Sequence, residues 1–503
     1  MKQSTCAAPD LEDLPIQGKK IYLPTNRDDI IPKALDIVRD LDIDNLIIDT
    51  PDTAKKLDLF LKPFQINAIK GFLKFFKELD MKGVYNCYDP GLGKTIIAIV
   101  LFANILKAKR ILVVCPSGLR GNWEDEIRIW DDDPDPVTVH TIYSSRGMLR
   151  PSGITAKWCV VSYRLLLKEN VFMKLYEKPW DAVIFDEAKE LKSRRSLQTK
   201  ACMHLWNRTR RGMWMDGTPV TRSAQDLYVP CSTMMPGHFG SEDDFCEEYC
   251  LKCSVPWGMG WEYFHGQNLD KLSEIIRSNF FLRKTKEEVL PDLPDVTYQK
   301  IVLDCGSFDK KLTEEQEKAI LEAVRLGKDP NECARPQDKK HISERRLEAG
   351  LKTIQKGGSE FIGNLLDGNI PVMVVAYHRD VINALTHIFR KFNPVKIDGS
   401  VVGRAKDLAR DKFNNGQTNL LVIQIKSAVG INLQKRCCTA VYVETSYDPM
   451  QVKQSLDRIR RMGQKNAMNA YFFVAKGSVD EECFKVLKKK LEMIDQVVRS
   501  TDE

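Results

Sequence analysis

A glycine-rich loop with a lysine and a threonine lies between a strand-like and a helix-like segment. The loop spans residues 89–95 and follows the apolar residues 83–87. Glycines let backbone N–H groups converge on phosphates, a lysine neutralises their charge, and a threonine hydroxyl can reach Mg²⁺. Because Tyr88 stands where the motif usually has its first glycine, a plain glycine-rich turn stays open as the alternative for the loop alone. The predicted nucleotide contacts in the loop are Gly91, Gly93, Lys94 and Thr95.

Two adjacent carboxylates follow another apolar run. Residues 182–185 end in Asp186 and Glu187. At a strand tip near the phosphate loop, Asp186 is predicted to hold Mg²⁺ through its water shell, with Thr95 as the second magnesium residue. Glu187 is predicted to orient and deprotonate the attacking water. Solvated loop carboxylates are the alternative for the pair taken alone, but its position after a strand favours phosphoanhydride hydrolysis.

Two arginines recur near the C-terminal end of the sequence. Arg458 and Arg461 are three residues apart, a spacing that places both on one face of a helix turn. Cations are needed where negative charge develops on a transferring phosphoryl group, so we expect both arginines to meet the γ-phosphate. The alternative is a basic helix that faces solvent or DNA, and we assign that role to Arg460.

The elements that must position these residues alternate between apolar strand-like runs and longer helical patterns. Such alternation predicts an α/β fold with parallel sheets covered by helices on both faces. The pattern stops and then restarts after residue 360, which indicates two lobes. The predicted strands are 83–87, 110–115, 157–161, 182–185 and 212–215 in the first lobe, and 371–376, 395–397, 419–423, 440–443 and 470–474 in the second.

Four segments are predicted along the chain. Residues 1–57 form a small N-terminal α+β accessory module, and residues 58–290 form an ATP-binding lobe 1 with a protrusion near residues 235–270. Residues 291–357 are charged and helical in period, which predicts a linker followed by a helical protrusion. Residues 358–503 form lobe 2 with a C-terminal helix.

Bulk composition limits the class of protein. A formal charge of +7 is compatible with a polyanionic partner without requiring one. No stretch approaches the length of a membrane span and the N-terminus lacks the apolar core of a signal peptide, so we expect no membrane partner. The 14 cysteines are scattered through apolar runs, as in reduced intracellular proteins. The spacing of Cys246, Cys250 and Cys253 would suit zinc, but half-buried cysteines are the preferred interpretation.

From about residue 59 to residue 485, the order of motifs resembles the Swi/Snf-type ATPases of helicase superfamily two, and within them the HARP-like annealing-helicase branch. The resemblance implies two RecA-like lobes, ATP and Mg²⁺ as cofactors, and a DNA-dependent ATPase. Residues 61–65 are similar to the adenine-reading segment, with Gln65 as the amide that pairs with the base. Residues 424–433 and 454–464 resemble the motifs of the second lobe, which implies nucleotide contacts for Gly430 and Asp457.

The resemblance also implies a coupling motif between the ATP and DNA sites at residues 216–219. Family members usually carry histidine where this chain has Lys189, and a hydroxyl residue where it has Asp216. We predict that Lys189 and Asp216 lie on neighbouring strand tips and form a charge-assisted bond that replaces the neutral one. Thr218 completes the predicted coupling residues.

DNA contacts are expected at loops after strands, where hydroxyls and N–H groups can follow a phosphate backbone with little sequence preference. A turn or cap role is the alternative for each of these serines. A group of aromatic residues in lobe 1 would form either a wedge at a DNA junction or a packed hairpin. The serines are Ser117, Ser162, Ser400 and Ser427, and the aromatic residues are Trp257, Trp261, Tyr263 and Phe264.

The expected function is an ATP-dependent double-stranded DNA translocase that remodels or anneals forks and junctions. One alternative is a strand-separating helicase, and another is a nucleotide-gated DNA clamp that does not hydrolyse ATP. The expected partner is double-stranded or branched DNA, bound by a monomer. A cytoplasmic or nucleoid location is expected, or the host cytoplasm if the protein is phage-encoded, with roles in DNA repair and replication.

Overall fold

The computed structural model divides into two compact units, Met1–Lys284 and Thr285–Glu503, which are called unit 1 and unit 2 below. The described residues are 15–16, 19–20, 61–131, 139–145, 156–220, 223–254, 261–264, 266–309, 311–325, 336–401, 404–428, 430–446, 449–476, 480–481, 483–485 and 487. Of the predicted N-terminal module, only the antiparallel pair β1 (Pro15–Ile16) and β2 (Lys19–Lys20) is described. The other elements predicted within residues 1–57 lie outside the described residues.

Unit 1 is built on a seven-stranded sheet in which every strand pairing is parallel. Its core strands are fully buried, which explains their continuous apolar sequences. The strands are β3 (Gly83–Asn86), β4 (Ile111–Cys115), β5 (Val139–Thr141), β6 (Trp158–Ser162), β7 (Ala182–Asp186), β8 (Arg211–Met215) and β11 (Phe281–Leu282). Their order is β11-β3-β8-β7-β4-β6-β5. The five strands predicted for this lobe are confirmed, whereas the short edge strands β5 and β11 were not predicted.

Helices cover the sheet of unit 1. They are α1 (Pro63–Lys77), α2 (Lys94–Ile99), α3 (Arg120–Trp130), α4 (Tyr163–Leu166), α5 (Glu169–Tyr176), α6 (Leu197–Arg208), α7 (Tyr228–Met234), α8 (Glu242–Tyr249) and α9 (Leu269–Asn279). Helix α2 continues as a π-helical turn at Val100–Ile105 that is entirely buried. Because these helices connect parallel strands, the loops at the carboxyl ends of β3, β8 and β7 come together along one edge.

An antiparallel hairpin follows α8 in the region predicted as a protrusion. It consists of β9 (Leu251–Ser254) and β10 (Trp261–Phe264). Tyr263 is half-buried and packs against the core of unit 1, which favours the packed hairpin over a DNA wedge for this residue. Trp257 lies outside the described residues, as do the side chains of Trp261 and Phe264.

Unit 2 contains a second sheet in which all pairings are parallel. The strands are β12 (Val296–Leu303), β13 (Val372–Ala376), β14 (Val395–Ile397), β15 (Leu420–Gln424), β16 (Thr439–Tyr442) and β17 (Met468–Ala475), in the order β12-β17-β16-β13-β15-β14. The fold class of two parallel-sheet lobes is therefore confirmed. The loops after β13, β15 and β14 are neighbours at one edge of this sheet.

The helices of unit 2 are α10 (Lys286–Val289), α11 (Glu314–Arg325), α12 (Pro336–Thr353), α13 (Ser359–Asp367), α14 (Arg379–Ile388), α15 (Arg404–Asn414) and α16 (Pro449–Leu456). Helix α12 is joined to α13 through a kinked π-helical turn at Ile354–Gly358. In the part of the chain that the structure describes, no helix combines the length and the apolar character needed to span a membrane.

The units divide before the predicted boundary at residue 290. Unit 2 begins at Thr285, and β12 lies inside the segment predicted as linker and protrusion (residues 291–357). β12 alternates between half-buried and exposed residues because it is an edge strand, paired only with β17. That pairing joins residues far apart in sequence, so local pattern alone did not assign β12 to the second sheet.

Candidate nucleotide and DNA site

The phosphate loop has the backbone geometry that its glycines predict. Gly91 and Gly93 have φ values of 90° and 81°, in the left-handed region that favours glycine. Helix α2 begins at Lys94, so its first N–H groups border the loop. The Lys94 ammonium donates to the carbonyl oxygen of Tyr88 at 2.7 Å. The loop therefore has the form of a phosphate cradle in spite of its missing first glycine.

Gln65 packs directly against this loop. Its Nε2 donates to the Leu92 carbonyl at 3.1 Å, and its Oε1 accepts from the Lys62 backbone N–H at 2.9 Å. A Cβ atom at position 93 would collide with the Gln65 carboxamide, so Gly93 is needed for this close approach. The amide supports the loop in this structure, and its contact with adenine stays a prediction.

Asp186 is held rigidly at the end of β7. Its Oδ2 accepts from the Trp123 indole Nε1 at 2.8 Å, and its Oδ1 accepts from the Glu187 backbone N–H at 2.9 Å. Tyr163 donates through its hydroxyl to the Asp186 carbonyl oxygen at 2.9 Å. Neither Trp123 nor Tyr163 was predicted to support the acid pair. A buried aromatic donor cannot be assigned to a carboxylate partner from sequence spacing.

Glu187 has a φ of 50°, which is uncommon for a residue that is not glycine. This conformation ends β7 abruptly and turns the chain into a 3₁₀ helix at Ala188–Leu191. Strained conformations of this kind concentrate at functional sites. The Lys189 ammonium lies 3.0 Å from Glu187 Oε2.

The predicted bond between the side chains of Lys189 and Asp216 is corrected. Asp216 Oδ2 accepts from the backbone N–H of Lys189 at 2.7 Å, whereas the Lys189 side chain pairs with Glu187. The strand tips are neighbours as predicted, because β7 and β8 pair up to Asp186 and Met215. The Lys189 ammonium is taken up by Glu187, and the Lys189 main chain makes the direct contact with Asp216 instead.

Asp216 organises the coupling motif. Its Oδ1 accepts from the Thr218 backbone N–H at 2.7 Å and from the Thr218 hydroxyl at 3.3 Å. Burial raises the pKa of Asp216, an effect opposed mainly by the charge of Lys189. The predicted coupling residues Lys189, Asp216 and Thr218 therefore form one hydrogen-bonded group.

Charges converge at the edge formed by the loops after β3, β8 and β7. Burial lowers the pKa of Lys94, while the charges of Glu187 and Asp186 act in the opposite direction. Burial and the neighbouring Glu187 raise the pKa of Asp186 to about 7. Lys94 and the acid pair are thus close enough to influence one another, as a shared phosphate site requires.

The oxygen groups at this edge fit Mg²⁺. Thr95 and Asp186 supply hard oxygen ligands, and burial penalises the Asp186 carboxylate charge, which a divalent cation would offset. Among the described residues there is no group of three or more acidic, histidine or cysteine side chains that could hold a metal. Magnesium sites of phosphate-binding enzymes use one or two protein ligands and complete the shell with phosphates and water.

In unit 2, the predicted arginine helix is wrong in one respect: α16 ends at Leu456. Residues 457–464, called the arginine turn below, continue as a series of turns. Arg458 Nε donates to the Gln454 carbonyl at 2.9 Å, and Arg461 Nε donates to the Asp457 carbonyl at 2.8 Å. Arg461 also bonds to the Asn432 side chain. Gly430 has a φ of 82° in the preceding motif, and its nucleotide contact stays a prediction.

Two other side chains of the arginine turn have structural partners. Asp457, predicted to bind nucleotide, is buried and forms an ion pair with Lys286. Arg460, assigned to solvent or DNA, is instead paired with Glu287 at 2.9 Å. The role of Arg460 is therefore corrected, and a nucleotide role for Asp457 has no contact in its support.

The four serines predicted to contact DNA differ in exposure. Ser162 is buried, and its hydroxyl accepts from the Leu165 N–H at 3.4 Å as the cap of α4. Its DNA assignment is therefore corrected to the alternative that was weighed. Ser117 and Ser400 are exposed and Ser427 is half-buried. Ser400 donates to Asp398 in a tight turn.

A polar surface at the carboxyl edge of the second sheet was missed by the sequence interpretation. The Lys426 ammonium is exposed, donates to the Tyr377 hydroxyl at 3.2 Å and lies over the same ring. Gln424 Nε2 donates to the Tyr377 carbonyl at 3.0 Å, and its Oε1 accepts from the Gly399 N–H at 3.2 Å. Lys426 precedes Ser427, and Gly399 precedes Ser400, so the predicted serines border this surface. The adjacent lysine was the signal that could have located it.

The described cysteines are free, and all but Cys438 are buried. Cys246 and Cys250 are both buried in the hydrophobic core of unit 1. The side chain of Cys253 lies outside the described residues. Burial of the first two agrees with the preferred interpretation of packed thiols rather than zinc ligands.

Together, two parallel-sheet units, a phosphate loop, an acid pair after a neighbouring strand and an arginine turn are the features of a P-loop ATPase with two α/β lobes. A family model described as the SNF2-related domain matches residues 64–351, more than half of the chain. The chain belongs to this SNF2-related family, and the predicted membership of the Swi/Snf-type ATPases is confirmed.

Curated relatives match this chain at modest identity. SWI/SNF-related matrix-associated actin-dependent regulator of chromatin subfamily A-like protein 1 of Xenopus tropicalis is 27% identical over 456 residues, which cover 89% of this chain and 46% of that protein. DNA annealing helicase and endonuclease ZRANB3 of Homo sapiens is 27% identical over 471 residues, which cover 92% of this chain and 42% of that protein. This chain thus spans less than half the length of these relatives. A solved Sulfolobus solfataricus SWI2/SNF2 ATPase core in complex with dsDNA is 22% identical with a TM-score of 0.41, covering 88% of this chain and 93% of that one.

Proposed function

We propose that this protein is an ATP- and Mg²⁺-dependent motor that translocates along double-stranded DNA and remodels or anneals it at forks and junctions. The observation that carries the proposal is the arrangement after three neighbouring strands of unit 1. Lys94 follows β3, Asp216 follows β8, and Glu187 follows β7. An enzyme that binds a nucleotide, hydrolyses it and couples hydrolysis to movement needs these three groups to lie side by side.

The residues divide the chemistry among themselves. The loop N–H groups and Lys94 bind the β- and γ-phosphates, and Glu187 takes the proton from the attacking water. Mg²⁺, when bound through Thr95 and Asp186, neutralises phosphate oxygens. Arg458 and Arg461 of unit 2 supply positive charge to the γ-phosphate as negative charge develops there. A clamp without turnover would have no chemical need for Glu187.

The contacts of Lys189 offer a route for coupling hydrolysis to DNA. Lys189 bonds through its main chain to Asp216 and through its side chain to Glu187. A displacement of the residue 216–219 loop therefore shifts the group that activates water. We propose that DNA binding acts on ATP turnover through this path.

We propose that each unit contacts the DNA backbone at its own residues, Ser117 in unit 1 and Ser400, Lys426 and Ser427 in unit 2. Cations and hydroxyls bind the phosphate backbone without reading bases, as continuous movement requires. The names of the similar vertebrate proteins, a DNA annealing helicase and a chromatin regulator, support DNA as the partner.

The test compares ATP hydrolysis on blunt duplex, forked, four-way junction and single-stranded DNA, with Glu187→Gln as the inactive control. Stimulation by blunt duplex, together with displacement of a third strand from a triplex, is expected of a duplex translocase. Stimulation by single strands alone, with unwinding of forks, would indicate a strand-separating helicase. Normal hydrolysis by Glu187→Gln would refute the base assignment.

A further inference from the structure

Helix α10, the first element of unit 2, is fixed to the arginine turn by two ion pairs from consecutive residues. Lys286 contacts Asp457, and Glu287 contacts Arg460. The partners lie about 170 residues apart in sequence but belong to the same unit. They flank Arg458 in the chain, so α10 holds the turn on both sides of a predicted catalytic cation.

The first pair is buried. Both side chains are only 2% exposed. Asp457 Oδ2 has no hydrogen-bond partner among the described groups, so the Lys286 ammonium is the principal compensation for this carboxylate. Burial alone would raise the pKa of Asp457, but Lys286 and then Lys453 hold it below its usual value. Removing Lys286 would leave a buried charge uncompensated, which proteins tolerate poorly.

The second pair lies nearer the surface. Glu287 Oε1 is 2.9 Å from the Arg460 guanidinium, with the two side chains 23% and 13% exposed. Because this pair keeps more contact with water than the first, breaking it leaves a less costly unpaired charge. It therefore offers a milder way to release the turn than a change at Lys286.

Helix α10 is itself well anchored as a support. Thr285 accepts from the Glu288 N–H at 3.3 Å and its own N–H donates to Glu288 Oε2 at 3.3 Å, a complete capping box. The Leu290 N–H donates to the Lys286 carbonyl at 2.7 Å. The arginine turn, in contrast, lies beyond the end of α16 and lacks a regular helical ladder.

We infer that Lys286 and Glu287 are positioning residues, which hold the arginine turn so that Arg458 and Arg461 keep a fixed orientation. Both residues act through their partners Asp457 and Arg460. The catalytic consequence rests on the proposed function, whereas the ordering of the turn does not. The inference explains why a buried lysine and a glutamate occur together at the start of unit 2.

The experiment measures hydrogen exchange and ATPase kinetics of the full chain carrying Glu287→Gln, Arg460→Met or both. We expect the amides of residues 457–464 to exchange about fivefold faster in each single variant, as loss of a partly exposed ion pair predicts. The value of kcat should fall by about the same factor, with KM for ATP nearly unchanged. The double variant should resemble either single variant, because the two residues act as one pair.

The matched control is Glu481→Gln, which breaks a different partly exposed ion pair of unit 2, with Lys300 at 3.7 Å. It should leave exchange of the arginine turn and kcat unchanged. Lys286→Arg should retain the turn, whereas Lys286→Met should release it. Unaltered exchange in Glu287→Gln, additive effects in the double variant, or an equal effect in the control would overturn the inference. Wild-type protein without ATPase would instead refute the proposed function, and the exchange comparison would still decide the positioning role.

Discussion

The Lys189 ammonium lies 3.0 Å from Glu187 Oε2, while the backbone N–H of Lys189 donates to Asp216 Oδ2 at 2.7 Å. One residue thus connects the predicted catalytic base to the coupling motif. Burial would lower the pKa of Lys189, but the charges of Glu187 and Asp216 raise it above its usual value. Lys189 therefore stays protonated and remains paired with Glu187 at neutral pH.

The first prediction concerns the ion pair between Lys189 and Glu187. Lys189→Met should raise ATP turnover in the absence of DNA by about two- to fivefold, because the ion pair competes with water for Glu187 and is worth at most about 1 kcal/mol at this exposure. Stimulation by DNA should shrink accordingly. Steady-state ATPase assays with and without duplex measure both quantities.

Lys192→Met is the matched control, since Lys192 pairs with Asp226 at 3.8 Å outside the acid pair. It should leave DNA-free turnover unchanged. If Lys189→Met has the same or lower DNA-free turnover than the wild type, Lys189 does not restrain the base.

The second prediction separates two reasons for glycine at position 93, namely its left-handed backbone conformation and the close approach of Gln65. Gly93 and Gly237 have nearly equal φ values of 81° and 80°, but a Cβ would strike Gln65 at position 93 and meet nothing within 4 Å at position 237. Gly237→Ala should cost about 1 kcal/mol from backbone strain alone. Gly93→Ala should cost at least 1 kcal/mol more and weaken nucleotide binding. Thermal unfolding and nucleotide titration check this, and equal losses would exclude the packing argument.

The third prediction concerns the polar surface beside Tyr377. Lys426→Ala should weaken the binding of all DNA sequences alike. It should also reduce the slope of log binding constant against log salt concentration by about one, which corresponds to one released counterion. Lys391→Ala, at another exposed lysine of unit 2, should have no such effect. Ser162→Ala should keep the salt dependence and lose about 1 kcal/mol of stability, because it removes a helix cap. Fluorescence anisotropy at several salt concentrations distinguishes these outcomes, and an unchanged slope for Lys426→Ala would remove it from the interface.

The fourth prediction is a pH dependence at Lys82. Burial lowers its pKa to about 8, whereas the unfolded chain would have a value of about 10.4. Between these values the unfolded chain binds more protons, so stability rises with pH across that window. Lys82→Met should therefore be more stable than the wild type at pH 7, by less than about 2 kcal/mol given partial exposure, and lose this advantage as the pH rises past about 10.4. Paired unfolding curves test it, and exposed Lys77→Met should show no such pH-dependent difference.

Structural elements that have a strong local sequence pattern were predicted well. The phosphate loop, the Asp186–Glu187 pair and most sheet strands have strong local patterns, since buried parallel strands are continuously apolar. The edge strand β12 was missed because its only partner, β17, is distant in sequence. No local pattern marks such a pairing.

Side-chain partners were predicted less well. The bond of Trp123 to Asp186, the pairing of Lys189 with Glu187 and the capping role of Ser162 depend on where tertiary packing directs each group. The helix predicted at the arginines also ends early at Leu456, and the side chains of Asp457 and Arg460 pair with α10. Sequence identifies the chemistry of such residues, and packing decides the partners.

The indole of Trp123 donates to the carboxylate that is predicted to hold magnesium, and its ring is fully buried. Indole emission responds to a charge placed within hydrogen-bonding distance. The protein therefore carries a native optical reporter beside its predicted metal ligand, so that loading of the site can be followed without an attached dye.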